Sequence, residues 1–216
     1  MNQKEHWEKV YQSKSPNEVS WYKPHLDLSL DLILKSAISK DARIIDVGGG
    51  ASTLVEDLLR EGYNHLTVLD ISSGALRQSK ERLAEKAGRV TWIEADILKV
   101  DFPKKSFDLW HDRAVFHFLT SPDERRRYVK ILNETLKPGG FSIIASFGLE
   151  GPSKCSGLEV MRYSPETLSQ ELGDAFALLK TIDERHQTPV GAFQNFVYCL
   201  FQKTPKSHSS KTLNRL

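Results

Sequence analysis

Apolar residues along the first forty positions recur at helical spacing. Trp7, Val10 and Tyr11 fall at i, i+3 and i+4 within residues 3–13, which predicts a short amphipathic helix with an aromatic face. A Ser-Pro-Asn loop follows. Leu26, Leu30, Ile33, Leu34 and Ala37 then form a second helical stripe, ended by Ser39-Lys40-Asp41.

From Arg43 the pattern changes to short continuous apolar runs at 44–47, 66–69, 90–93, 107–110 and 141–146. Runs without polar alternation suit parallel strands buried on both faces. The segments between them carry helix starts. Thr53 with Glu56 three residues on has the form of a capping box, and Ser121-Pro122-Asp123-Glu124 places a cap, a proline and an acid where a first turn needs them. That helix is expected to stop at Leu136-Lys137-Pro138-Gly139-Gly140. Ser164-Pro165-Glu166 opens another, closed by Leu172-Gly173. Strand and helix in alternation predict a doubly wound α/β sheet with right-handed crossovers. At the end, 176–182 and 195–201 are expected as two antiparallel strands joined by a loop over 183–194.

Composition narrows the class. A chain of 216 residues with 39% hydrophobic content can bury a full core without staples, so disulfides and structural metals are not needed. Cys155 and Cys199 are too few for a zinc motif and point to a reducing, cytoplasmic setting. No apolar run approaches a membrane span, and the charged start MNQKEHWEKV is unlike a signal peptide. The net charge of +2 comes from the end of the chain: Lys203, Lys206, Lys211 and Arg215 are accompanied by no acid, and without them 26 cations face 28 acids, a net of −2. Such a body lacks the basic face that nucleic acid requires. The domain reading is an N-terminal helical segment over 1–40, an α/β domain over 41–203 and a disordered polar tail over 204–216.

The chemistry gathers at strand ends. Asp46-Val47-Gly48-Gly49-Gly50 follows the first strand, at the sheet edge where open α/β folds bind ligands. Asp70 ends the second strand and Asp96 follows the third. A dinucleotide fingerprint would need a third glycine where Thr53 stands, and it leaves Asp96 unexplained. A ligand with a ribose diol, an adenine amino group and an ammonium would use all three acids.

At these residues the chain resembles the class I, seven-stranded S-adenosylmethionine-dependent methyltransferases, over roughly residues 33–203. IIDVGGGAS matches the glycine motif, LDIS the ribose motif and EADI the adenine motif; FDLWHDRAVFHFL resembles the fourth-strand motif and LKPGG the turn before the fifth strand. The resemblance implies a Rossmann-like, mostly parallel seven-stranded sheet with an antiparallel last strand and helices on both faces. It implies S-adenosyl-L-methionine as cofactor, released as S-adenosyl-L-homocysteine. Cofactor contacts are then expected from Asp46, Gly48, Gly49, Gly50, Asp70, Ile71, Asp96, Ile97, Asp112 and Trp21. The segment 1–40 is expected to fold over the cofactor, with Trp21 packing near the sulfonium. The fourth-strand motif lacks the Pro-Pro signature of enzymes acting on adenine or glutamine. Asp112-Arg113-Ala114 stands where lysine methyltransferases of elongation factor and citrate synthase have Asp-Lys-Gly.

In-line methyl transfer needs alignment and dryness more than covalent help. Asp112 and Arg113 are the candidate catalytic residues, one toward the cofactor ammonium and the other toward an anion. His117, Cys155 and Tyr22 are candidate substrate contacts; a lone His117 is more often packed, and Lys154 beside Cys155 would lower its thiol. Cys199, on an apolar strand, is assigned to the core. The leading acceptor is a small-molecule nucleophile, with a protein lysine as the alternative. A non-catalytic cofactor-binding module and a nicotinamide-dependent oxidoreductase complete the alternatives. No metal, nucleic acid or membrane partner is expected, and a monomer or homodimer is.

Overall fold

In the computed structural model, which describes residues 3–205, seven strands form one sheet in the order β3-β2-β1-β4-β5-β9-β8. The strands are β1 (Arg43–Val47), β2 (His65–Asp70), β3 (Val90–Glu94), β4 (Phe107–Arg113), β5 (Leu136–Phe147), β8 (Phe176–Gln187) and β9 (Phe193–Lys203). A two-stranded hairpin, β6 (Lys154–Cys155) and β7 (Leu158–Glu159), leaves the sheet after β5. β1 pairs in parallel with β2 and β4, whereas β9 is antiparallel to both β5 and β8. The order reverses at β1 and β4, which opens a crevice at their carboxyl ends.

The helices are α1 (Gln3–Ser13), α2 (Asp27–Lys35), α3 (Leu54–Arg60), α4 (Ser73–Leu83), α5 (Pro122–Thr135) and α6 (Pro165–Leu172). Two apolar clusters sandwich the sheet. One joins α2, α3 and α4 through Leu32, Ile33, Leu54, Leu58 and Leu76; the other joins α5 and α6 through Tyr128, Leu132 and Leu168. Central strands are buried on both faces, as their unbroken apolar runs require, and each such side chain contributes ~1.5–3 kcal/mol of transfer free energy.

Local details depart from the sequence pattern. The Thr53–Glu56 capping box does not form: Ser52 Oγ accepts from Leu54 N at 3.1 Å instead, and Glu56 is taken by Arg82 of α4. The boxes at Ser121 and Ser164 do form. The second stripe is rotated, since Leu34 faces solvent while Ser29 and Leu32 are buried. The LKPGG segment is no free turn; α5 ends at Thr135 and the five residues begin β5. The long loop expected over 183–194 is only 188–192, because the charged residues before it alternate along a strand whose inner face packs on residues 19–23. Lys203 ends β9 and is buried, its Nζ donating to Leu136 O at 2.8 Å. The tail reading falls mostly on residues 206–216, outside the described residues. No helix among the described residues is long and apolar enough to cross a membrane.

Candidate functional site

The crevice is a cleft of about 800 Å³, open mouth included, floored by strand ends and covered by α1 and the segment that follows it. Asp70 at the end of β2 is its most organised polar group. Gly50 N donates to Asp70 Oδ2 at 3.0 Å and Ser72 N to Oδ1 at 2.8 Å, which fixes the carboxylate at the crevice wall. Burial pushes this carboxyl up to about 6 despite those two donors. A Cβ on Gly50 would stand 2.5 Å from Asp70 Oδ2, so glycine is what lets the turn approach the acid. Gly48 holds φ +70°, a left-handed conformation, and its amide donates to Leu69 O at 2.7 Å.

Asp70, Ile71, Asp96 and Ile97 line the cleft along the β2 and β3 ends. Gly48, Arg113, Trp21 and Cys155 line it further along, together with Trp7, Tyr11 and Phe118. A second chamber of about 510 Å³ shares Gly48, Tyr11, Trp21 and Arg113, and adds Asp46, Gly49 and Tyr22. Asp46 accepts from His111 Nδ1 through Oδ1 at 2.7 Å, and its Oδ2 is buried without a partner. His111 is in turn hydrogen-bonded to Ser29 Oγ at 2.9 Å, which accounts for the buried serine on α2. Gly50 lines neither chamber and acts from behind Asp70.

Three expectations need correction. Asp112 does not reach the cleft. It is fully buried on the α5 side, where its carboxylate accepts from Tyr128 OH at 2.5 Å, Val115 N at 2.9 Å and Phe116 N at 3.1 Å. Its acceptor positions are spent on holding the turn after β4, and burial pushes its carboxyl up to about 6. His117 is also fully buried, between Phe118 and Phe147, and lines neither of these two chambers; burial and the nearby Arg113 charge lower it to about 3. Cys155 does line the cleft, but Lys154 does not activate it, being paired with Glu159 at 2.8 Å. Burial instead pushes the thiol up to about 11. Cys199 is core.

Arg113 sits in a charged cluster that sequence reasoning missed. Its Nε donates to Tyr198 OH at 2.8 Å and its Nη1 to Trp21 O at 3.0 Å, while its guanidinium lies 4.5 Å over the Phe196 ring. Glu184 on β8 accepts from Lys23 and from Tyr198 OH at 3.0 Å, and stands 3.7 Å from Arg113 Nη2. Burial alone would raise Glu184, but Lys23, Arg113 and Tyr198 outweigh it and hold the carboxyl below its usual range. His186 Nε2 donates to Ser20 O at 2.7 Å. Residues 20–23 are thus bolted to the last two strands. Glu8, equally unforeseen, accepts from Ser73 N at 2.6 Å and Gly74 N at 3.2 Å, tying α1 to the first turn of α4. Partners up to 166 residues away leave no local signal.

This set of acceptors suits a ligand with a diol for Asp70, an amino-bearing base beside Asp96 and Ile97, and an ammonium for the bare oxygen of Asp46. A dinucleotide would need a pyrophosphate against the start of α3, where Thr53 replaces the third glycine.

Comparison with known proteins agrees. Residues 44–140 match a methyltransferase domain family. The human EEF1A lysine methyltransferase 2 is 26% identical over 216 residues, covering 93% of this chain and 85% of that protein. A bovine eEF1A lysine and N-terminal methyltransferase is 29% identical over 122 residues, 56% of this chain. The chain spans only 17% of the length of that larger relative. Among solved structures, one concerned with conversion of a disulfide bond into a thioacetal group during echinomycin biosynthesis superposes with a TM-score of 0.75 at 18% identity, covering 96% of this chain and 95% of that one. N-methyltransferase NodS from Bradyrhizobium japonicum WM9, in complex with S-adenosyl-L-homocysteine, gives 0.70 at 17% identity, over 94% and 99%. With the glycine turn, the acids at three strand ends and the antiparallel closing strand, these matches identify a methyltransferase domain over residues 44–140 in a chain that has the fold of the class I S-adenosylmethionine-dependent methyltransferases.

Proposed function

We propose that the protein catalyses methyl transfer from S-adenosylmethionine to a lysine side chain of a partner protein. The transfer reading is carried by the cleft in which Asp70, held by Gly50 and Ser72, stands beside Asp96 under an aromatic cover. In this reading Asp70 accepts from the ribose hydroxyls, Asp96 and the chain at Ile97 meet the adenine, and Asp46 Oδ2 takes the ammonium. The bound cofactor supplies a methyl group activated on a sulfonium. Around it Trp7, Tyr11, Trp21 and Phe118 exclude water and align the acceptor, and an aromatic lining suits the apolar stem of a lysine. The lysine assignment is supported by the similarity to the human EEF1A lysine methyltransferase 2 along most of both chains.

A second reading, a small acceptor carrying an anion, is favoured by one observation. Arg113 lines both chambers with its Nη2 buried and free of hydrogen bonds. Incubation of the purified chain with methyl-labelled S-adenosylmethionine and a cell extract, followed by ultrafiltration, separates the two. Label on a discrete protein band, absent with Asp70→Ala, supports the lysine reading. Label among small solutes transfers the assignment to a metabolite, and S-adenosylhomocysteine binding without label anywhere would leave a cofactor-binding module.

A further inference from the structure

Lysine arrives at an enzyme as an ammonium ion, which has no lone pair with which to attack a methyl group. A general base would ordinarily remove the proton. Among the described residues that line the main cleft near Arg113, none fills that role. His117 lies beneath the cleft, Cys155 is a buried thiol pushed up to about 11, and Tyr11 is raised further still by burial. Asp46 lines the second chamber with one oxygen committed to His111. Asp70 and Asp96 stand at the opposite end of the cleft from Arg113, on β2 and just after β3.

The same region holds two cations against one acid. Lys23 and Arg113 share Glu184, and all three side chains are mostly buried, at 24%, 6% and 6% exposure. The other groups facing this cluster are Tyr198 from β9, which stays protonated because burial raises it to about 12, His186 from β8 and His117, which burial lowers, Cys155, whose thiol burial raises, and Asp46, which lines the second chamber with Lys23 and Arg113. The first four are uncharged at neutral pH, and in the methyl-transfer reading the charge of Asp46 is met by His111 and the cofactor ammonium, so the excess charge of the cluster remains. Arg113 carries that charge to the cleft wall, where it is locked by Tyr198, Trp21 O and the Phe196 ring.

We propose that the Lys23–Glu184–Arg113 cluster takes the place of a general base, its net positive charge admitting the acceptor nitrogen to the dry end of the cleft only in its unprotonated form. The inference rests on the methyl-transfer reading. A cation beside a desolvated amine disfavours the ammonium form, so the R–NH3+ proton passes to solvent water as the side chain enters. The freed lone pair then forms the N–C bond while the methyl–sulfur bond breaks, its electron pair going to sulfur, and the methylammonium product sheds its proton to solvent as it leaves. The same field would favour the thiolate of a thiol acceptor, the shared chemistry being a nucleophile with a proton to lose.

Two substitutions behind the cleft wall change the charge in opposite directions. Glu184→Gln keeps the shape and an oxygen for Tyr198 but raises the cluster by one unit; Lys23→Met lowers it by one. Purified eEF1A, the substrate in the names of the relatives, serves as the lysine probe, and N-acetylcysteine as the thiol probe. The acid limb of kcat against pH is expected to move down by about one pH unit in Glu184→Gln and up by a similar amount in Lys23→Met. Loss of strap anchoring alone would move both variants the same way or neither, and either result overturns the proposal. A cofactor-free readout runs in parallel: ultraviolet thiolate absorbance of Cys155, corrected with Cys155→Ser, should titrate at lower pH in Glu184→Gln and at higher pH in Lys23→Met. If neither probe is methylated, the acceptor assignment fails while the Cys155 titration still decides the electrostatic one.

Discussion

The two ends of the cleft are built differently. The end assigned to the cofactor is made of residues at or just past strand ends: Asp70 is held by Ser72 N two residues on and by Gly50 N from the turn after β1, and Asp96 by Leu98 N at 3.0 Å. The acceptor end is assembled across the chain, with Lys23 meeting Glu184, Arg113 meeting Trp21 and Tyr198, and Cys155 delivered by a separate hairpin. The first end repeats a local solution for one ligand. The second joins distant segments, so its chemistry can change without disturbing the sheet, as expected where one fold serves many acceptors.

The sharpest way to break this division is Glu184→Leu. Removing the shared acid leaves Arg113 and Lys23 buried without a counter-charge and should destabilise the fold by about 3 kcal/mol, visible as a lower urea midpoint. S-adenosylhomocysteine affinity should change far less than in an Asp70 variant. An equal loss of affinity would show that the two ends are not separable.

Asp70→Ala is the counterpart at the other end. Losing a charged hydrogen-bond acceptor should weaken S-adenosylhomocysteine binding by ~10-fold to 150-fold in calorimetry, with little change in stability. Because burial raises the Asp70 carboxyl to about 6, the accepting anion is lost as pH falls, and affinity should decline by roughly tenfold per pH unit below that value. For the free protein the sign is opposite. A carboxyl raised on folding contributes most to stability below about 4, when it is protonated in both states, and that contribution shrinks as pH climbs to about 6. Asp70→Asn should flatten both profiles.

Glu8→Ala is a smaller perturbation. It removes the carboxylate that caps the first turn of α4 and should cost about 1 kcal/mol, read as faster proteolysis within α1 while the sheet stays protected. Ala114→Gly should have the least effect. Ala114 follows Arg113 at φ +72°, a region that disfavours a side chain by ~1–2 kcal/mol, and most of the relief is offset by the greater freedom of glycine in the unfolded chain. A net gain of about 0.5 kcal/mol in thermal unfolding is expected.

The sequence by itself determined the alternation of strands and helices, the glycine turn and the placement of Asp46, Asp70 and Asp96 at successive strand ends. Buried parallel strands demand unbroken apolar runs, and tight turns demand glycine, so these features are written where they act. Only the tertiary structure decided which way the side chains of the fourth strand point. Asp112 and Arg113 are adjacent, yet alternation along β4 sends one into the α5 core and the other to the cleft. It likewise turned the charged run 183–187 from an apparent loop into a strand, because Glu184 and His186 are compatible with burial only when Lys23, Arg113 and Ser20 O face them. Such partnerships depend on long-range closure of the chain, which local patterning cannot encode.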